Sequence, residues 1–277
     1  MGMETATATA DDARLQKLVD DMRSADVDKP TDYMLDWGKP VNGVSDQSPN
    51  PLFVYVNETI FERPVYKALI DAFNSAIFIP DTCWDDAVEK ENRHAQTIFE
   101  TFTNTSVFQL GLQYLNETGL IGDWSTFRDE LWKLWFGAYS RCKGNGALGS
   151  SGFEHVFMGE RTEKRIVGGH HSWVIFYLEE KGGEINYNGY KRHDGDLSGV
   201  IQYTWLHNLK HVGGFNIGTS PAFDFTIFTV CTLRNPNSKR CRYLLDGYPQ
   251  AVATFLKPCG ENGQEKCIST TYPTQWN

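Results

Sequence analysis

The 277-residue sequence contains none of the patterns that mark several common functional classes. No apolar run approaches the roughly 18 residues that a membrane span requires. There is no Walker loop, no GxGxxG, no pair of cysteines at CxxC spacing and no internal repeat, which excludes the usual signatures of nucleotide-binding and zinc-ribbon proteins. The first ten residues, MGMETATATA, lack the basic and apolar regions of a signal peptide. We expect residues 1–10 to be a disordered tail or a remnant of expression.

The sequence also lacks an excess of basic residues, since its net charge is −9. The acidity is concentrated in one part of the chain. Residues 1–150 contain 13 basic and 23 acidic side chains, whereas residues 151–277 contain 13 and 12. A second half so close to neutral argues against a long basic groove of the kind that holds extended nucleic acids, and allows only a short footprint on a polyanion.

Two hydrophobic patterns divide the chain near residue 150. Before it, apolar residues recur at helical spacing, and after it short β-branched and aromatic runs alternate with turn residues. The predicted helices cover 11–24, 62–78, 85–101, 107–115 and 124–139. The predicted strands cover 153–158, 172–179, 199–206, 224–233 and 250–256. We therefore predict an α+β fold, with a mainly helical N-terminal half (11–150) and an antiparallel β-rich C-terminal half (151–277).

The even number of cysteines, six, permits a full set of disulfides. Local pairing is geometrically simple for Cys231 with Cys241 and for Cys259 with Cys267. It would leave Cys83 with Cys142, although the sequence does not fix the connectivity.

Three N-glycosylation sequons begin at Asn57, Asn104 and Asn116. Together with paired cysteines they favour a secreted glycoprotein whose signal peptide has been removed. The alternative is a cytosolic protein with six reduced, mostly buried thiols.

Histidines are concentrated in one region, because six of the seven fall between residues 155 and 211. His155 lies in GSSGFEHVFMGE and His171 in GGHHSWVIFYLEE, and each segment is predicted to be a strand. His170 and His171 would then point to opposite faces, so only one of them can share a site with His155. A zinc site is the alternative, but no cysteine lies within the histidine cluster. A packed imidazole without a chemical role remains the simplest interpretation of any single histidine.

Two histidines followed by Lys210 match the needs of RNA transesterification. RNA supplies its own nucleophile, the 2′-hydroxyl, so an enzyme must remove that proton, protonate the leaving 5′-oxygen and stabilise the phosphorane. One imidazole can act as base and the other as acid, each contributing roughly 10²–10⁴-fold. A fixed lysine can stabilise the developing charge on the phosphorus oxygens. The first product would carry a 2′,3′-cyclic phosphate.

Several segments in a fixed order carry a resemblance to a known family. GFEHVFMGE, GGHHSWVIFYLEE, LKHVGGFNIGTSPAFDFTIFTVCTL and STTYP together resemble the EndoU family, the poly(U)-specific endoribonucleases of animals, which are distantly related to the coronaviral uridylate-specific endoribonuclease. The similarity runs from about Gly149 to Pro273, with weaker similarity upstream in LWFGAYSR. It implies that the two halves pack as one unit, with the RNA cleft in the C-terminal half.

The resemblance also implies roles for individual residues. His155 and His171 would be the acid–base pair and Lys210 the third catalytic residue. Glu154 and Glu160 match positions that the family needs for full activity, and we assign them to a Mn²⁺ or Ca²⁺ site because such cations take carboxylate oxygens. The alternative for either acid is that it binds backbone or orients a histidine. The expected substrate-binding residues are Thr270, Tyr272, Gly213, Gly214, Thr219 and Ser220.

Two departures from the family pattern bear on these roles. His170 takes the position before the catalytic histidine where relatives often carry an aromatic residue. Relatives often have a serine after the glycine that follows the lysine, whereas this chain reads Val212-Gly213-Gly214-Phe215. If that serine helps to read the base, either the preference for uridine is weaker in this chain or Thr219 or Ser220 takes over its role.

The predicted function is therefore a metal-stimulated endoribonuclease that cleaves single-stranded RNA at uridines, acting as a monomer and without activity on DNA. A catalytically weak RNA-binding protein with the same fold is the alternative. A secreted module that binds carbohydrate or protein is a third interpretation. The joint presence of His155, His171 and Lys210 argues against both alternatives, since a binding protein needs no acid–base pair.

Overall fold

A computed structural model describes residues 10–83, 92–143, 146–162, 164, 166–260 and 263–274. Residues 1–9, most of the predicted tail, and 85–91, the start of the predicted third helix, lie outside this range. None of the described helices combines the length and apolarity that a membrane crossing requires.

Helices dominate the first half of the described chain. They are α1 (Ala10–Ala25), α2 (Pro64–Asn74), α3 (Arg93–Thr103), α4 (Ser106–Glu117) and α5 (Trp124–Phe136), with a 3₁₀ turn at Glu58–Glu62 before α2. Three of them begin at side chains that accept backbone N–H groups of the first turn, namely Asn92, Thr105 and Asp123. A short antiparallel pair, β1 (Tyr33–Leu35) and β2 (Phe53–Val56), lies among them.

The second half contains antiparallel sheets and two further helices. Its strands are β3 (Glu160–Arg161), β4 (Val167–Gly168), β5 (Ile185–Asp194), β6 (Ser198–Trp205), β7 (Asn208–Asn216), β8 (Ser238–Leu245), β9 (Tyr248–Cys259) and β10 (Glu265–Thr274). The pair β3–β4 and the sheets β5–β6–β7 and β8–β9–β10 are each antiparallel throughout. Strand β10 also lies against β7, which joins the two larger sheets. The observed architecture is α+β, as the sequence predicts.

Three of the predicted strands are wrong. Segment 172–179 belongs to helix α6 (Trp173–Gly182), and 224–233 belongs to α7 (Pro221–Arg234). Segment 153–158 forms a π turn at Glu154–Met158. All three segments are mostly apolar and have no clear helical period, and such segments look alike in a buried helix and a buried strand. Helix α7 is buried around its circumference, since residues 221–232 are all buried.

One hydrophobic core spans both halves. Helix α7 packs against α1, α2, α3 and α4 on one side and β9 and β10 on the other. Trp135 of α5 stacks on Phe225 of α7 with ring centroids 4.7 Å apart, and its Nε1 donates a hydrogen bond to Thr229. Disulfides join Cys83 to Cys142, Cys231 to Cys241 and Cys259 to Cys267. The last two are the local pairs that the sequence favours, and the first joins the two cysteines that those pairs leave over.

Candidate active site

The π turn presents His155 at the edge of a cavity. Its ring is almost fully buried, and Nδ1 lies 2.6 Å from Oε2 of Glu160. Glu160 begins β3 and pairs with Gly168 of β4, so the hairpin fixes the carboxylate beside the turn. A π turn widens the helix by one residue per turn and is often found at functional sites.

A loop at residues 169–171 closes directly onto the π turn. The N–H groups of His170 and His171 donate to the carbonyls of His155 and Val156, at 2.8 and 2.6 Å. Gly169 makes this approach feasible, because a Cβ at its position would lie 1.6 Å from the His155 carbonyl oxygen. Its φ of +57° also favours glycine. The loop thereby brings the two predicted catalytic histidines together, with ring centroids 6.4 Å apart.

His171 lies between β7 and β10. Its Nδ1 donates to the Gly214 carbonyl at 2.7 Å, and its ring stacks on Tyr272 with centroids 5.0 Å apart. This backbone contact places the proton of the neutral ring on Nδ1, which leaves Nε2 free to accept one.

Lys210, on β7, reaches the same cavity and is buried, with Nζ 3.3 Å from the Val167 carbonyl. A Cβ on Gly213 would lie 3.1 Å from Lys210 Cε, so the glycine leaves room for the lysine stem to pass. Burial lowers the pKa of Lys210 to about 8, which keeps the amine largely protonated at neutral pH.

The cavity has a volume of about 480 Å³ and contains most of the predicted site. Its lining residues are His155, Gly168, Gly169, His171, Val200, Lys210, Val212, Gly213, Gly214, Thr270, Tyr272, Pro273 and Thr274. The structure thus brings the two histidines, the lysine and four of the six predicted substrate-binding residues to one place.

The structure does not bring Thr219 and Ser220 to this cavity. Both are fully buried at the start of α7, where Ser220 accepts the Phe223 N–H and Thr219 donates to Asp224. Their sequence position after β7 suggested substrate contact, but their hydroxyls serve the helix N-terminus instead. The missing serine has no replacement from these two residues.

Glu160 is held by three neighbours besides the backbone. Oε2 contacts Nδ1 of His155 and lies 3.0 Å from the Arg141 guanidinium. Oε1 accepts a hydrogen bond from the Ser150 hydroxyl. Arg141 Nε in turn donates to Ser150 at 2.9 Å. Sequence reasoning did not single out Arg141 or Ser150, because nothing in one sequence distinguishes a buried arginine from a solvated one.

The two acids do not fit the metal site that the family resemblance implies. A hard cation needs several oxygen ligands that can turn toward it. Both oxygens of Glu160 are engaged, and Glu154 is only 2 % exposed and does not line the cavity. No group of three or more His, Cys, Asp or Glu side chains converges anywhere in the described parts of the chain. Glu160 instead occupies the alternative role of orienting a histidine.

Burial makes both active-site imidazoles neutral in the free protein. It lowers the pKa of His155 to about 4, and the positive charge of Arg141 adds to this while Glu160 opposes it. Burial and Lys210 take the pKa of His171 well below its ordinary value. Burial alone would raise the pKa of Glu160, but the hydrogen bond from His155 and the charge of Arg141 bring that pKa below its usual range, so the carboxylate is ionised.

His170 points away from the cavity, as predicted for one member of the dipeptide, though not because of strand alternation. Its φ is +62°, which turns the side chain into the core. The ring packs on Trp205 with centroids 4.9 Å apart, and Nδ1 lies 3.0 Å from the Tyr203 hydroxyl. His170 therefore replaces an aromatic core residue.

Comparison with known proteins places this arrangement in a family. Residues 14–273 match the family model described as Endoribonuclease XendoU. The solved structure of XendoU, described as a splicing-independent snoRNA-processing endoribonuclease, superposes with a TM-score of 0.75 at 26% identity, covering 95% of this chain and 97% of the other.

Curated relatives agree with the family match. A Xenopus laevis uridylate-specific endoribonuclease D is 31% identical over 280 residues, covering 96% of this chain and 90% of the relative. The uridylate-specific endoribonucleases of mouse and human are 36% and 37% identical over 235 residues. These matches cover 82% of this chain but only 55% of each mammalian protein, so the chain spans about half their length.

Proposed function

The chain belongs to the XendoU endoribonuclease family, and from this premise we propose that it cleaves single-stranded RNA at uridines. The observation that carries the proposal is the His155–His171 pair, 6.4 Å apart, with Nδ1 of each ring anchored to Glu160 or Gly214. This leaves Nε2 of each ring for proton transfer to and from RNA. Cleavage by the 2′-hydroxyl would leave 2′,3′-cyclic phosphate ends, and DNA would not react.

The surroundings of the histidines assign a different step to each. The general acid must be protonated when it meets the leaving 5′-oxygen. His155 contacts the Glu160 carboxylate, whose charge opposes the lowering of the His155 pKa by burial and Arg141, and a bound phosphate would raise that pKa toward the range in which the ring is protonated. His171 faces the positive charge of Lys210 and a neutral carbonyl, which keeps it unprotonated. We therefore propose His155 as the acid and His171 as the base.

Lys210 stabilises the phosphorane in this scheme. Lys210 lines the same cavity as the two histidines, and its ammonium needs no rearrangement to remain charged. Fixed charges in a water-poor site are worth far more than in bulk water. Tyr272 and Thr270, on the β10 wall, are proposed to contact the uracil base.

The leaving group tests the acid–base assignment. A uridine 3′-phosphate ester of 4-nitrophenol needs no protonation on departure, whereas a uridine dinucleotide does. We expect His155→Ala to lose about 10²–10⁴-fold on the dinucleotide and under about tenfold on the nitrophenyl ester. His171→Ala should lose similar large factors on both, because both reactions need the base.

Further outcomes would overturn parts of the proposal. The two roles would be reversed if His155→Ala lost activity equally on both substrates while His171→Ala lost much less activity on the ester than on the dinucleotide. Cleavage of a substrate with a 2′-deoxyuridine at the reactive position would contradict 2′-hydroxyl attack. A wild-type protein that binds uridine oligonucleotides but cleaves none of them would favour the alternative of an RNA-binding protein with an unused site.

Stimulation by Mn²⁺ or Ca²⁺ is retained as a proposal in which Glu154 and Glu160 are not the ligands. The engaged oxygens of Glu160 support this restriction. Metal titration of wild type and Glu160→Gln checks it, since the half-saturating cation concentration should be the same for both. A marked shift in that concentration for the variant would make Glu160 a ligand.

We also propose secretion, with the chain acting as a monomer. Three disulfides support an oxidising compartment. Asn104 and Asn116 are exposed, whereas Asn57 is half-buried. The side-chain amides of Asn57 and Asn116 donate to Asp32 and to the Gly122 carbonyl, each at 3.0 Å. In protein secreted from animal cells, Asn104→Gln and Asn116→Gln should each reduce the glycan mass that deglycosylation removes, and size-exclusion chromatography should show one chain.

A further inference from the structure

A shallow depression adjoins the histidine cavity. Val200, Pro273 and Thr274 line both, so the depression lies directly beside the cavity. Its far side is formed by Arg192 and His193 of β5. The volume of about 20 Å³ is too small for a base and suits a single small polar group.

Strand register places Arg192 on the cavity side of the sheet. Arg192 lies opposite Val200 of β6, and Val200 lies opposite Gly214 of β7, whose carbonyl holds His171. Directly opposed residues of antiparallel strands project to the same face. Two strand spacings separate Arg192 from Gly214, which is roughly 10 Å. An arginine of its length can therefore reach a group just outside the catalytic cavity.

The guanidinium of Arg192 is held in place by a neighbouring carboxylate and still has N–H donors available. One nitrogen contacts Asp194 at 3.1 Å, and the other oxygen of Asp194 accepts a hydrogen bond from Gln250. The side chain is 38% exposed. A guanidinium carries five N–H donors in a fixed fork, so several remain for an external anion. Asp194 offsets the charge, so the contact would depend on hydrogen-bond geometry more than on long-range attraction.

We propose that Arg192 binds the RNA phosphate next to the scissile one, which makes a chain of at least three nucleotides the preferred substrate. This inference rests on the proposed ribonuclease function and extends it. A phosphate oxygen is the RNA group that is small and anionic enough for the depression, and arginine forks match phosphate geometry. The enzyme would thereby recognise uridine in the cavity and the polymer backbone beside it.

Substrate length tests the proposal. The substrates are the dinucleotide UpU and the same dinucleotide with one adenosine added at the 5′ or the 3′ end, which adds one phosphate. We expect the wild-type kcat/KM to be about tenfold higher for one of the extended substrates than for UpU. Arg192→Ala should abolish that advantage while leaving UpU cleavage within about twofold. Its kcat/KM on the extended substrate should also depend less steeply on salt, by about 0.7 in the log–log slope.

Two further variants make the result specific. Arg192→Lys keeps the charge without the fork and should recover only part of the advantage. Arg242→Ala removes an arginine from β8, outside both sets of lining residues, and should retain the full advantage.

Three outcomes would overturn the proposal. Equal losses of Arg192→Ala on UpU and on the extended substrates would mean that Arg192 only supports the cavity. An unchanged length preference in Arg192→Ala would leave no phosphate contact there. If the wild-type protein cleaved none of the three substrates, the proposed ribonuclease function itself would fail, and this result is distinct from the other two.

Discussion

The Glu160 carboxylate connects a buried charge network to the ring of His155. Replacing it by glutamine puts an amide where the ring Nδ1–H now finds an ionised acceptor, which disfavours the imidazolium and the present tautomer. We expect Glu160→Gln to lower kcat by about 10–100-fold, by analogy with the loss that follows removal of the group that orients a metal-bound histidine. Steady-state kinetics on a uridine oligonucleotide measures it.

A second variant removes a weaker contact from the same network around Glu160. Ser150→Ala removes only the hydroxyl that donates to the other Glu160 oxygen, so its kcat should fall by less than about tenfold. Circular dichroism should show both variants folded. A folded Glu160→Gln with wild-type kcat would rule out the orienting role.

His170 and His171 are adjacent, yet we expect opposite consequences from their removal. Burial lowers the pKa of His170 to about 3, so the ring is a neutral part of the core. His170→Ala should reduce the free energy of unfolding by about 2–3 kcal/mol, as for other large-to-small core changes. Turnover per folded molecule should stay within about threefold of wild type.

Urea unfolding and kinetics on the same samples make the comparison. His171→Ala should show the reverse pattern, with little change in the urea midpoint and a large loss of turnover. Loss of turnover in fully folded His170→Ala would mean that the wrong member of the dipeptide has been assigned to catalysis.

At the scale of elements, the loop at 169–171 matters as much as the histidines. Gly169→Ala would drive a methyl group into the His155 carbonyl and strain a φ of +57°. The loop would have to leave the π turn, so we expect kcat to fall by more than about 100-fold and the protein to be destabilised by about 3 kcal/mol.

Gly183 provides the matched control for this loop. It ends α6 with a φ of +83°, and a Cβ at its position would have no neighbouring atom within 4 Å, so Gly183→Ala carries only the backbone strain. The free energy of unfolding of that variant should fall by about 1 kcal/mol, and its catalytic activity should be unchanged. Equal activity of the two alanine variants would contradict the role given to the loop.

Some elements were predictable from the sequence, whereas two helices without a polar face were not. Helix α1 shows its buried stripe through Leu15, Leu18 and Met22, and β6 was found because turn residues bound it. Helices α6 and α7 are buried on nearly all sides, so their sequences carry no period that separates helix from strand.

Part of the candidate site was also predictable from the sequence. His155, His171 and Lys210 belong to segments with a recognisable order, and the structure places all three around one cavity. Arg141 reaches Glu160 only through tertiary packing, and Thr219 and Ser220 are turned inward by the start of α7. Neither fact has a signature in local sequence.

At the scale of the whole molecule, a buried acid at α7 couples stability to pH. Burial raises the pKa of Asp224 to about 7, although hydrogen bonds from Asn216 and Thr219 oppose the shift. An unfolded aspartate titrates near about 3.9, so between these values the folded state holds a proton that the unfolded state has released. The contribution of Asp224 to stability is complete at acidic pH and is lost as the pH rises toward 7.

Asp224→Asn should remove this part of the pH dependence. The amide oxygen can still accept from Asn216 and Thr219, and no proton is exchanged on folding. Wild type should lose up to about 4 kcal/mol of unfolding free energy between pH 4 and 7 from this group, and the variant should show a flatter profile in urea titrations across that range. Nearby Asp26, whose pKa burial also raises, will leave some residual slope. Parallel profiles for the two proteins would contradict the prediction.

Strand β10 supplies the last wall of the cavity, and it follows every other site residue in the chain. Synthesis proceeds from the N-terminus, so a growing chain contains both histidines and the lysine well before Thr270 and Tyr272 exist. Until β10 has emerged and paired with β9, the acid–base pair has no completed surface against which to hold a nucleotide. The order of residues along the chain therefore delays the completion of the cavity until translation has passed β10, and an unfinished chain carries both histidines and the lysine without the wall that completes their site.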